Sequence, residues 1–253
     1  MTYVYEKAYN ETIRLCLLYE QHLKAINQMI GSEHVYGYVF EELSALIQLV
    51  DRQDFKTKLV MTFYQFEKQL GMYEHAQAID DIHDKILLTK HNLSTKTSGV
   101  VKGLMTDPLL SRMYYKHQGI ESEQVLSMWE RQSPVDKAHQ VSYWLKAFSY
   151  YTEAISLVLY MVRGIGDFKS IYAKSGFYRE SCIEKDIISV QLIRIECPNY
   201  AVFPVISMAK RWLAVTFHQG DWVGQKFEVK SASSSFSFKL SLCSYSSSVA
   251  NMK

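Results

Sequence analysis

His75 and His83 stand eight residues apart, with Asp80, Asp81 and Asp84 beside them. About two helical turns separate the imidazoles, and imidazole with carboxylate is a donor set that binds divalent metals. The same residue types also make an ordinary solvated face of an amphipathic helix, and that reading is adopted: no metal site is assigned. Glycine motifs give no nucleotide loop. "SGVVKGL" lacks the spacing and the Lys-Ser/Thr of a phosphate loop, and the G-x-G of "RGIGDF" follows a helix pattern rather than a strand, where it reads as a helix stop. Neither a G-x-S-x-G elbow nor an H-E-x-x-H pair occurs. Nothing in these spacings supports nucleophilic or acid–base catalysis, and no cofactor is implied, so the chain is not read as an enzyme.

The stretch "MAKRWLAVTF", Met208 to Phe217, carries more promise. Side chains of a strand alternate between its two faces. Leu213, Val215 and Phe217 take the buried face, with Arg211 at its rim; Lys210, Trp212, Ala214 and Thr216 take the other. An exposed Trp212 beside two cations would be a docking platform, flat apolar area with charge-assisted donors. The rival reading is a sheet edge protected by Lys and Arg.

These residues must be positioned by the rest of the chain, whose first two-thirds reads as helix. Ile13, Cys16, Leu17, Leu23, Ile26 and Ile30 recur at helical spacing, with Asn10 placed to cap the start. Further helices carry Phe40, Leu43, Ile47 and Val50, then Phe55, Leu59, Phe63, Phe66 and Leu70, then Ile79, Ile82 and Ile86. Short connections imply antiparallel packing. Asp107-Pro108 marks another helix start. Beyond it, Ser133 caps one long helix, with Pro134 in its first turn and Asp136 favouring its positive end. Its apolar face runs from Trp144 through Leu145, Phe148, Tyr151, Ile155, Val158 and Leu159 to Val162, and Gly164 and Gly166 stop it.

After Gly166 the period becomes two. Ile188, Val190 and Leu192 alternate with polar residues, as do Leu213, Val215 and Phe217, and Phe236, Phe238, Leu240 and Leu242. Strands without intervening helices imply an antiparallel sheet or sandwich. The expected fold is α+β: a mainly helical domain over residues 1–166, antiparallel, followed by an antiparallel β-sandwich-like domain over 167–253 with a fraying serine-rich tail.

Composition bounds the rest. Hydrophobic residues at 48% suffice for a core, and the net charge of +2 is too small to imply a nucleic-acid binder by itself. The charge is uneven, −2 over Met1 to Arg163 and +4 over Gly164 to Lys253. That leaves an alternative function, a nucleic-acid-binding accessory protein using the basic C-terminal domain, although its cations do not interleave with stacking aromatics beyond Trp212. Cys16, Cys182, Cys197 and Cys243 form no C-x-x-C pair and read as reduced, mostly buried thiols, which fits the cytosol. The acid-containing N-terminus lacks the apolar stretch of a signal peptide, and no uncharged apolar window of about 18 residues calls for a membrane span.

Several segments resemble a known family. "YEKAYNETIRLCLLYE", through Tyr5-Glu6, Asn10-Glu11, Arg14, Leu17 and Glu20, is similar to the N-terminal signature of ZapD, a bacterial division family whose members associate with FtsZ. "LIQLVDRQDFKTKLV" resembles the family's second-helix ending and the cationic turn after it; "QVSYWLKAFSYYTEAISLVLYMVR" resembles its long helix, with Trp144 at the family's tryptophan. "FKSIYAKSGFYRE", "FPVISMAKRWLAVTF" and "FSFKLSLC" follow in the family's order. The resemblance implies a non-catalytic, cytoplasmic protein at the mid-cell division site. Its members form homodimers with a helical and a β-sandwich domain, bind the C-terminal tail of FtsZ in a basic pocket, and bundle filaments. It carries over to Arg52, with Lys56 one turn on, and to Lys210; two outward family arginines fall at Trp212 and Thr216, and Arg211 is adjacent to them. The implied partner-binding residues are therefore Arg52, Lys56, Lys210, Arg211 and Trp212, with no nucleic acid and no metal.

Overall fold

The computed structural model describes residues 2–30, 36–70, 77–114, 120–181, 189–197, 202–209, 211–223 and 226–244. Lys210, Cys182, His75, Ile188, the serine-rich tail from Tyr245 on, and the side chains of Ile79 and Asp80 lie outside the described residues. In chain order the elements are β1 (Tyr3–Ala8), α1 (Glu11–Met29), α2 (Tyr36–Asp51), α3 (Gln53–Leu70), α4 (Gln77–Lys96), α5 (Val100–Leu104), α6 (Pro108–Tyr114), α7 (Ile120–Glu130), α8 (Pro134–Lys146) and α9 (Ser149–Ile165). Then come β2 (Lys169–Ala173), β3 (Phe177–Ser181), β4 (Val190–Cys197), β5 (Val202–Ala209), β6 (Trp212–Val223), β7 (Lys226–Ser231) and β8 (Phe236–Ser244). The fold is α+β, helical in its N-terminal part and antiparallel β in its C-terminal part. It divides into two compact units, Leu15–Leu159 and Met1–Arg14 with Tyr160–Lys253.

In the helical unit the expected apolar stripes are buried. Phe40, Leu43, Ile47 and Val50 on α2, and Phe55, Leu59, Phe63, Phe66 and Leu70 on α3, are all core residues. α3 and α4 run antiparallel, with Lys56 near the start of α3 donating to the Ser94 carbonyl near the end of α4 at 3.2 Å. Asp107 is the polar hub of this unit. Its Oδ1 caps α6 by accepting from the amides of Leu109 at 3.0 Å and Leu110 at 2.9 Å. Its Oδ2 accepts from Trp144 Nε1 at 2.9 Å and Gln140 Nε2 at 3.1 Å. Trp144 is fully buried and closes an aromatic cluster with Phe40 and Trp129, centroids 5.8 and 6.5 Å away. One carboxylate thus fixes a helix start and a core indole together. Ser133 caps α8 as expected, accepting from the Asp136 amide at 3.1 Å.

The long helix expected after Ser133 is two helices. The chain tightens at Ala147 and Phe148, whose amides bond back three residues to Trp144 and Leu145 rather than four. Trp144, Phe148 and Tyr151 stay buried through the break, so the apolar period continues although the helix does not. At its far end α9 runs through Gly164 and stops at Gly166. A Cβ on Gly166 would collide with Ser241 Oγ and the Leu242 carbonyl, so glycine lets β8 approach the helix end.

The strand unit has two antiparallel sheets, β1-β4-β8-β2 and β3-β6-β5, with β7 pairing the far part of β6. Ile193, Ile195, Leu213, Val215, Phe217, Phe238 and Leu240 form a shared core, and Phe217 meets Phe238 edge-on at 4.9 Å across the two sheets. The arrangement is a sandwich. In β4 a bulge between Val190 and Leu192 reverses the face of everything that follows. Val190, Ile193, Ile195 and Cys197 face the shared core, so the expected alternation of Val190 with Leu192 ends at the bulge.

β1 was not legible as a strand. It pairs with β4, Tyr5 opposite Ile195, and its side chains seal the outer edge of β5. The Tyr5 hydroxyl donates to the Val202 carbonyl at 3.3 Å and Lys7 Nζ to the Ile206 carbonyl at 2.6 Å. Between them Glu6 accepts from Arg163 through Nε at 2.9 Å and Nη2 at 2.6 Å, and from Arg194 Nε at 2.9 Å. This half-hidden ion cluster ties β1, β4 and the end of α9.

Candidate functional site

Arg52 occupies the single residue between α2 and α3. It stands at the mouth of a recess of about 540 Å³ lined by Val50, Asp51, Arg52, Gln53, Lys56, Thr97, Gly99, Val100, Val101, Lys102, Met105 and Tyr151. Val50 and Tyr151 are buried beneath it, and Arg52, Lys56 and Lys102 supply three positive charges against the one negative charge of Asp51. Sequence reasoning placed Arg52 and Lys56 together, and the structure brings both to this recess. It missed Lys102, which lies within "SGVVKGL", a stretch searched for phosphate loops and then set aside.

The recess charges are braced from within. Arg52 Nε lies 3.3 Å from Asp54 Oδ1, and Lys58 Nζ lies 2.6 Å from Asp54 Oδ2. Hydrogen bonds from Lys58 first, then Arg52, hold the Asp54 carboxyl down to about 2. The Lys56 amine, expected as a partner-binding group, donates one hydrogen bond to the Ser94 carbonyl at 3.2 Å.

The other expected residues lie in the strand unit, and there the sequence reading needs correction. Met208 to Phe217 is not one strand. β5 ends at Ala209 and β6 begins at Trp212, paired with each other, so Arg211 is exposed in the connection between them instead of standing at the rim of a buried face. β6 is no edge either, because β3 and β5 flank it on both sides. Trp212 was expected to be exposed; it is half-buried, its ring covered by the Arg179 guanidinium at 5.1 Å. Leu213, Val215 and Phe217 do face the core.

Arg179 is the cation that sequence reasoning missed here. In the register Arg179 stands opposite Ala214, one outward position from Trp212 and one from Thr216. Only strand pairing reveals this neighbourhood, since "FYRES" and "RWLAVTF" lie far apart in the chain.

Among the described residues no group of three or more His, Cys, Asp or Glu is placed to hold a metal ion, and no helix is long and apolar enough to cross a membrane. Burial pushes the Cys16 thiol pKa well above its usual value and that of Cys197 up to about 11, so neither is an activated nucleophile. Fold and surfaces together define a two-unit α+β protein with cations gathered at a partly apolar recess and over a sheet tryptophan. The chain belongs to the ZapD family of cell division proteins, whose family model matches residues 13–216. Relatives carrying the name cell division protein ZapD include one from Coxiella burnetii, 23% identical over 96% of this chain and 98% of the relative. One from Vibrio parahaemolyticus is 25% identical over 96% and 99%, and one from Photobacterium profundum 22% over 94% and 98%.

Proposed function

We propose that this protein binds the acidic C-terminal tail of FtsZ and, as a homodimer in the cytoplasm, cross-links FtsZ filaments at the mid-cell division site without catalysing a reaction. The observation that carries the reading is the Arg52–Lys56–Lys102 recess, positive at its mouth and apolar at its floor, in a chain of a division family. An acidic peptide with apolar side chains matches both properties. Long-range attraction steers it in, and charge-assisted hydrogen bonds hold it. Lys210, Arg211 and Trp212 are proposed to contribute from the strand unit.

Each exposed ion pair is worth only about 0–1 kcal/mol, so one site binds weakly. A two-fold dimer presents the site twice, and a filament presents many tails, so avidity turns weak contacts into stable bundles. The test is co-sedimentation with FtsZ polymers, intact and lacking the tail. The protein is expected to pellet with intact polymer only, and less so as salt is raised. Equal pelleting with tail-less polymer would overturn the tail-binding reading.

A further inference from the structure

α3 and α4 each carry a long apolar stripe inward and a second, shorter one outward. Leu59, Phe63 and Phe66 of α3 and Ile86 and Leu93 of α4 are buried in the core. At 3.6 residues per turn, Met61 and Tyr64 on α3 and Leu87 and Leu88 on α4 point away from it, and all four are 46–61% exposed. Scattered exposed apolar residues are ordinary, but four on two adjoining helices make a patch of the kind that binds other proteins. The patch is held in shape. Lys90 Nζ sits over the Tyr64 ring, 3.6 Å from its centroid, and donates to both Glu67 carboxylate oxygens at 2.9 and 2.7 Å. The ring is thereby pinned at the seam between α3 and α4. Leu87 stands three residues before Lys90 and lies along the same side of α4.

The polar residues around the leucines are evenly placed. Asp84 stands three residues before Leu87, and His91 three residues after Leu88. All four project within about 100° of one another around α4. Asp84 and His91 are exposed, and neither side chain has a partner among the described residues. We propose that this face packs against the same face of a second copy, with α4 antiparallel to the partner's α4 about a two-fold axis between Leu87 and Leu88. This rests on the homodimer reading above for there being a pair at all. The axis sets Leu87 opposite the partner's Leu88. Because the spacing is equal on both sides, it also sets Asp84 opposite the partner's His91, an imidazole that can donate to the carboxylate in either protonation state. Met61 and Tyr64 carry the apolar contact onto α3. A two-fold interface uses one patch twice, so the patch must complement itself, and this pattern does. A parallel pairing would set Asp84 against the partner's Asp84. A uniformly acidic or basic partner would meet a matching group at only one end of the leucines.

The test is sedimentation velocity of the full-length protein over a dilution series, with circular dichroism to check that the fold is unchanged. The unaltered protein is expected to run as a dimer. Leu88→Glu sets two carboxylates into the apolar contact, one from each copy, and is expected to raise the dimer dissociation constant about a hundredfold. Asp84→Arg and His91→Asp each spoil both Asp–His pairs and are each expected to raise it about tenfold. The double variant Asp84→Arg/His91→Asp restores opposite charge across the axis and is expected to return to within about threefold of the unaltered protein. Such a rescue needs two chains, because the two positions are about 10 Å apart along their own helix. Val135→Glu, at an exposed apolar residue of α8, is the control and is expected to leave the dimer intact. If Leu88→Glu and both charge variants dimerise as the unaltered protein does, this inference is overturned and the homodimer stands through another face. If the double variant fails to recover, the antiparallel register is overturned. If the unaltered protein is a monomer throughout, both readings fall. If Leu88→Glu stays dimeric but no longer pellets with FtsZ polymer, the face belongs to the filament and the pairing is overturned.

Discussion

The two units secure themselves alike and present their cations differently. In the helical unit a single carboxylate, Asp107, caps α6 and holds the Trp144 indole. In the strand unit a single carboxylate, Glu6, binds Arg163 and Arg194. Each joins segments remote in the chain, and each is satisfied by the protein itself. The surface cations diverge. Arg52 leans on Asp54, which Lys58 already engages more closely, whereas Arg179 lies on Trp212 with an open charge. A braced cation must exchange one acid for another when an anionic partner arrives, so its net gain is small. An aromatic support demands no such exchange. The contrast teaches that the count of positive residues near a surface is a poor guide to its affinity for acids, and that the partner each cation already has decides the matter.

Ways to break this comparison begin with the anchors. Trp144→Ala removes a fully buried indole and leaves Asp107 Oδ2 with Gln140 as its remaining donor; it is expected to lower stability by about 4 kcal/mol in urea unfolding. Glu6→Ala leaves two arginines facing each other in a mostly buried setting and is expected to cost about 3 kcal/mol. A near-neutral result for either would show that its unit is held by packing alone. The cations follow. Arg179→Glu is expected to weaken tail binding by about 2 kcal/mol and Arg52→Glu by about 1 kcal/mol, both measured by anisotropy with an unchanged circular dichroism spectrum; the reverse order would erase the distinction between open and braced charge.

The smallest effect sharpens it most. Asp54→Asn releases Arg52 from its internal acid and is expected to tighten tail binding about threefold near neutral pH. The sign of the pH dependence follows from the depressed carboxyl. Its value falls from 3.8 to about 2 on folding, so the brace is complete above the unfolded value and is lost only as pH falls toward about 2. Between about pH 5 and 8 Asp54 is expected to stay ionised and to add no pH dependence to binding.

Much of the fold was legible because helices advertise themselves locally. Phe55, Leu59, Phe63, Phe66 and Leu70 needed only their spacing, and Asn10, Ser133 and Asp107 needed only their place before a periodic run. The break at Ala147 escaped because Trp144, Phe148 and Tyr151 keep the helical period across it. β1 escaped for a different reason: a six-residue edge strand is specified by its partner β4, more than 180 residues away in the register. The bulge in β4 was invisible likewise, since one extra residue changes parity without changing composition. Of the candidate site, Arg52 and Lys56 were legible through the resemblance, but their Asp54 and Ser94 partners were not. Arg179 could be found only once strand register put it beside Trp212.

The seal on β5 bears on how such a protein behaves in a crowd. A bare strand flank is a template onto which further chains can add, and addition of that kind has no natural end. Tyr5 and Lys7 occupy two of the carbonyls that template would use, so association by backbone pairing is denied along that flank. Any association along that flank would have to go through side-chain contacts, which carry no repeating ladder to extend.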